Sequence, residues 1–127
     1  MATVTGLEIS YRDSRSNPLV AQSWSALTTA NDRGSPFEWP LGADRSIHVY
    51  GNEGTGGTLV LEGSNKEAPT DDDADWVALN DTEGSAISVT AVPDLTNVGT
   101  LARWVRPRVT AGDGSTSYNV ILIARRR

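Results

Sequence analysis

The chain has no cysteine, so neither disulfides nor thiolate metal sites can hold it together, and a reducing compartment suits its assembly. It also lacks long apolar runs. None approaches the roughly 20 residues that cross a bilayer as a helix, and the opening Met1-Ala2-Thr3-Val4-Thr5 lacks the charged and apolar regions of a signal peptide. The expectation is a soluble protein that is not exported by that route. No stretch sustains a helical period, which argues against a helical fold. Histidine occurs once, at position 48, between Ile47 and Val49. No motif such as Gly-x-Ser-x-Gly sets a nucleophile beside it, so a packed or surface histidine is expected rather than a catalytic one.

Positive charge is also scarce. The net charge of −5 includes +3 from Arg125, Arg126 and Arg127, so the rest of the chain carries −8. Such a body binds phosphate backbones poorly, and neither a nucleic-acid partner nor a membrane partner is expected. The basic end has two readings: a tail that docks on an acidic protein surface, or a frayed, solvated terminus.

What the chain does have is turn chemistry. Its 127 residues suit one domain with one core. Twelve glycines and six prolines, with many Thr, Ser, Asn and Asp, interrupt it at intervals suited to short antiparallel strands. Strands are predicted over 3–11, 46–50, 58–62, 76–79, 87–90, 102–110 and 117–124, with the region 19–39 left open. The predicted fold class is all-β, an antiparallel β-sandwich (jelly-roll or galactose-binding-like) of about seven to eight strands. Residues 1–18 form an N-terminal arm or a first strand with a polar extension, and 19–127 form the sandwich.

Alternation then assigns faces. In the strand over 58–62, Leu59 and Leu61 point one way and Thr58, Val60 and Glu62 the other, as in a sheet with one covered face. In the last strand Tyr118, Val120, Leu122 and Ala124 share a face, yet Ile121 and Ile123 make the opposite face apolar too. Either a second layer covers Ile121 and Ile123, or they meet another subunit. The segment Ala111-Gly112-Asp113-Gly114-Ser115 predicts a hairpin turn, and Gly54-Thr55-Gly56-Gly57 a second one, since it lacks the Lys-Ser/Thr of a phosphate loop.

Several residues raise functional questions. Pro107 cannot donate a ladder hydrogen bond, so its nitrogen should face an edge or a bulge. Arg103, Arg106 and Arg108 crowd the same strand, where they either bridge carboxylates between subunits or coat an edge strand against recruitment of another sheet. Asp71, Asp73 and Asp75 alternate at a spacing that can converge on calcium, but the later glycine and glutamate of an EF-hand loop are absent; the alternative is a solvated loop. Four tryptophans could supply platforms for sugars. Trp76 and Trp104 sit within predicted strands, where core packing is commoner, and Trp39, between Glu38 and Pro40, is the candidate for exposure.

The ordered series Asp44 to Gly51, Val60-Leu61-Glu62-Gly63-Ser64-Asn65, Trp76 to Leu79, Asp81-Thr82-Glu83-Gly84, Val105 to Gly114, and an Ile/Val strand closing in arginine resembles a family of small virion proteins of tailed bacteriophages. The likeness spans roughly residues 23–127. More distantly, the strands around Gly63-Ser64-Asn65, Trp76 and Ala102 to Arg106 are similar to discoidin-like, galactose-binding sandwiches. The first resemblance implies a capsid decoration (cement) protein on the virion surface, assembled in the host cytoplasm, without enzymatic activity or cofactor. Its implied partners are the major capsid protein and other copies of itself, as a homotrimer. Candidate oligomer or capsid contacts are Ile121, Ile123, Arg103, Arg106, Arg108, Arg125 and Arg126, with the arm Met1 to Pro18 reaching onto the capsid. The second resemblance implies a carbohydrate-binding module for phage adhesion or host-surface sugars.

Overall fold

The computed structural model describes residues 3–12, 18–38 and 44–125. These form an all-β sandwich with twelve strands: β1 (Thr3–Val4), β2 (Leu7–Arg12), β3 (Pro18–Leu27), β4 (Arg33–Gly34), β5 (Phe37–Glu38), β6 (Asp44–Asn52), β7 (Thr58–Ser64), β8 (Val77–Ala78), β9 (Ser88–Val89), β10 (Asp94–Asn97), β11 (Trp104–Ala111) and β12 (Ser117–Arg125). A single 3-10 turn, Asp73–Asp75, precedes β8. One sheet runs β1-β4-β11-β7-β8, with β5 also on β11 and β9 also on β7; the other runs β10-β6-β12-β3-β2. Pairing is antiparallel except between β1 and β4.

The core lies where the inward residues of the two sheets meet. Ile47 and Val49 of β6, Leu59 and Leu61 of β7, Val105 and Val109 of β11, and Tyr118, Val120 and Leu122 of β12 are buried there with Trp24 and Leu27 of β3. The alternation read in β7 and β12 is the alternation found. The open region 19–39 contains β3, which is held by its own inward residues and by pairing on both sides, plus the short β4 and β5. Strand β10 was not anticipated, because Asp94-Leu95-Thr96-Asn97 carries only one apolar residue.

Two predicted hairpins are corrected. Strands β11 and β12 belong to different sheets, as do β6 and β7, so the segments 112–116 and 53–57 each carry the chain across the sandwich. The local chemistry was read rightly: Gly54, Gly56 and Gly112 have φ of 63°, 68° and 152°. A turn residue fixes a reversal, but not which sheet the next strand joins. The two crossings hold each other, Thr116 Oγ1 donating to Glu53 O at 2.9 Å and Thr55 N to Asp113 Oδ2 at 3.2 Å. Asp113 also accepts from the backbone and hydroxyl of Ser115, chiefly the hydroxyl, which lowers its pKa to about 2.

The described part of the N-terminal segment is built into both sheets, with β1 on β4 and β2 on β3. Pro107 sits where β11 changes partners: β5 pairs with Trp104 and Val105, and β4 with Arg108. That interruption absorbs its missing donor. Gly34 belongs beside it, since a Cβ there would lie 2.7 Å from Pro107 Cδ and 2.7 Å from the indole of Trp24.

Candidate interaction face

The two sheets present opposite chemistries to their surroundings. On the five-stranded sheet the outward residues fall into registered rows. Leu7, Ser23, Ile121, His48 and Leu95 stand side by side across β2, β3, β12, β6 and β10. Ile123 lies between Ala21 and Ser46 in the adjoining row, and Asn119 faces Tyr50 in the row beyond. Leu95 is 72% exposed, Leu7 65% and Tyr50 41%; Ile121 and Ile123 are half-buried by neighbours in their own sheet. Among the described residues no second layer covers them. Of the two readings left open for Ile121 and Ile123, the covering layer within the domain is therefore absent among the described residues.

Across these central rows there is no carboxylate and no guanidinium. The first charged position in register, Asp44 opposite Arg125, stands at the rim. A bulge shapes the other end, where Ser25 and Ala26 oppose Asn119; Ala26 has φ 58°, and its N–H donates to Asn119 Oδ1 at 3.0 Å. His48 is exposed at the centre, its ring 5.6 Å from that of Tyr50 and tilted by 58°.

The outer surface of the other sheet is charged and closed. Arg106 has no exposed side-chain surface, donates to Glu62 Oε1 at 3.0 Å and lies 4.4 Å from the Trp76 ring centroid. Arg108 Nη1 is 3.0 Å from Asp73 Oδ1 and 3.6 Å from Glu62 Oε2. Arg33 pairs with Asp32 at 3.1 Å, which raises the arginine pKa, and donates to Asp71 O at 2.9 Å. The loop Lys66 to Trp76 folds over this cluster. Thr70 secures it, with its carbonyl accepting from Trp76 Nε1 at 2.7 Å and its N–H donating to Asp75 at 2.7 Å.

This arrangement changes how the arginines are understood. Strand β11 lies inside its sheet between β4 or β5 and β7, so Arg106 and Arg108 do not coat an edge. They bridge carboxylates, but within the one chain. Arg103 is apart from them, 2.8 Å from Glu38 and 5.9 Å from the Trp104 ring centroid. Arg125 closes β12, and Arg126 lies outside the described residues.

The calcium arrangement is not formed. Asp73 turns to Arg33, Arg106 and Arg108, Asp75 to Lys66 and Thr70, and Asp71 to the hydroxyl of Thr3. Among the described residues no group of three or more His, Asp or Glu is placed to hold a metal ion. The 3-10 turn separates the three side chains, whose spacing would have brought them together on an extended strand. Of the tryptophans, Trp24 and Trp76 are buried, Trp104 is half-buried, and Trp39 lies outside the described residues.

Leu7, Tyr50 and Leu95 join Ile121 and Ile123 on the open face, and His48, expected to be packed or at the surface, is exposed among them. The alternation of Ser46, His48 and Tyr50 against Ile47 and Val49 was the available signal. It marks an outward face without saying which other outward residues lie beside it.

No family model matches the chain, and no curated protein matches it. Among solved structures, it is similar to a carbohydrate-binding module (CBM6cm-2) from Cellvibrio mixtus lichenase 5A in complex with cellotriose, at 18% identity over 96% of this chain and 88% of that one, with a TM-score of 0.29. A likeness of that size assigns neither a family nor a ligand to this chain.

Proposed function

We propose that this chain is a non-catalytic structural protein of a tailed-phage virion, a capsid decoration protein that binds the outer head lattice and stabilises contacts between major capsid subunits. The observation that carries this reading is the open sheet face built on Ile121, Ile123, Leu95 and Leu7, apolar and uncharged at its centre, on an otherwise acidic molecule. The ordered motifs of residues 23–127, similar to small virion proteins of tailed phages, supply the identity of the assembly. A small rigid sandwich with one sticky face suits attachment in many copies, each weak alone and strong by avidity. A homotrimer suits the local threefold positions of such a lattice.

The test is uptake by heads. Purified protein mixed with heads lacking it should co-sediment with them in copy numbers set by the lattice, and Ile121→Lys should abolish uptake. Failure of the wild-type chain to sediment with heads would remove the proposal. The carbohydrate-binding alternative ranks second, because its requirement for an exposed aromatic platform is not met by Trp24, Trp76 or Trp104. Binding on a glycan array, with no uptake by heads, would reverse the order.

A further inference from the structure

We propose that the cleft between strand β2 at the edge of the five-stranded sheet and the segment 35–38 beside the other sheet is a binding site for an organic ammonium group. It lies on the flank of the sandwich, apart from the open outer face, and is independent of what that face binds.

Register places the cleft. Glu8, Gln22, Leu122 and Ile47 stand in one row across β2, β3, β12 and β6. Leu122 and Ile47 are fully buried in the core, so the same row turns Glu8 and Gln22 inward, to positions where alternation calls for apolar side chains. Ser35, Phe37 and Glu38 form the other wall, and the space has a volume of about 500 Å³, that of a small-molecule cleft. Two hydrogen bonds tie the walls together, Gly6 N donating to Ser35 Oγ at 2.8 Å and Trp24 Nε1 to Ser35 O at 3.0 Å. A Cβ on Gly6 would run into the Gln22 amide, so glycine leaves that side chain its room.

The lining selects the ligand. Gln22 is 5% exposed, and its Oε1 is buried without a hydrogen-bond partner, which costs stability unless a donor reaches it. Rotation about the last side-chain bond, which is torsionally soft, brings that oxygen to the cleft. Glu8 is exposed and has no ion-pair partner among the described residues. Glu38 already holds one cation of the chain, its Oε2 lying 2.8 Å from Arg103 Nε. Two carboxylates and an amide oxygen are acceptors for an ammonium group, which has three donors and accepts nothing. A metal ion is served less well, because no three His, Asp or Glu residues among those described are placed to hold one. A sugar ring is served less well too, because Phe37 is only 9% exposed and offers no face for stacking. The ammonium group comes either on a free amine or on a lysine of a partner protein.

Nuclear magnetic resonance titration of the isotope-labelled full chain tests this, with putrescine as the free amine and N-acetyl-lysine methylamide as the protein side chain. Saturable shifts of the Gln22 side-chain amide and the Gly6 N–H are expected, and the tighter of the two probes identifies the source. Butanediol, and sodium chloride at matched ionic strength, should move neither signal. Glu8→Gln should raise the dissociation constant about tenfold or more. Gln22→Leu should weaken binding comparably and raise the melting temperature, because it removes an unpartnered amide from an apolar row. A glutamine with only a structural role would not give that combination. The inference is overturned by the absence of saturable shifts with both amines, by equal shifts with the diol, or by undiminished binding in either variant. A lower melting temperature in Gln22→Leu would overturn it as well, since the amide would then serve the fold rather than a ligand.

Discussion

The guanidinium of Arg106 lies 4.4 Å from the ring centroid of Trp76, which caps it from above while Glu62 holds it from the side at 3.0 Å. The charge is fully buried, and its Nη1 has no hydrogen-bond partner. Its stability therefore depends on Glu62, Asp73 and the ring together.

Removing one partner of such a buried pair should be costly. Arg106→Ala and Glu62→Ala are each expected to destabilise the fold by about 3–5 kcal/mol in urea titrations. The double replacement Arg106→Met with Glu62→Leu should cost much less than the sum, because neither charge is left behind. Additive losses would show that the pair is not coupled.

Acid should loosen the two loops that carry lowered carboxyl groups. Lys66, then the backbone and hydroxyl of Thr70, hold Asp75 at about 2, and Ser115 with Thr55 hold Asp113 at about 2. Both values lie below the unfolded-state value of about 3.9. Their contribution is thus complete above that value and is lost as pH falls from about 4 to 2. Thermal melts across this range should fall with acidification, and Asp75→Asn and Asp113→Asn should flatten the curve. An unchanged slope in both variants would contradict the assignment.

Ala26 occupies a left-handed conformation at φ 58°, a region that glycine enters without steric cost. Ala26→Gly should stabilise the protein by about 0.5–1 kcal/mol. Asn119→Ala, which removes the 3.0 Å bond to the Ala26 N–H, should destabilise it by about 1 kcal/mol. A loss of stability in Ala26→Gly would mean that the bulge carries no strain.

Calcium should have little effect, because Asp73 and Asp75 are committed to cations and donors of the chain itself. At about 5 mM calcium the melting temperature should shift by less than about 1 °C. A larger rise that disappears in Asp73→Ala would show that the loop can reorganise around the ion.

Much of the fold was legible because it is written in short-range alternation. The inward sets Leu59/Leu61 and Tyr118/Val120/Leu122/Ala124 follow directly from alternation, and the positive φ at Gly112 from the turn chemistry of 111–115. The candidate face was half legible: Ile121 and Ile123 were marked as apolar on the wrong side of their strand, but their neighbours were not.

The sequence by itself determined the class of fold and the core-facing side of the main strands, because each depends on residues one or two positions apart; Trp76 is buried outside the core, against Arg106. Only the tertiary structure decided that the reversals at 53–57 and 112–116 cross between sheets, that β11 is an inner strand, and that the carboxylate of Asp73 answers Arg33, Arg106 and Arg108. It also decided that Leu7, Ile121, His48 and Leu95 share one row. The physical reason is common to all of these. Alternation tells a strand which way its side chains point, but what stands beside or above them is set by pairing between strands far apart in the chain.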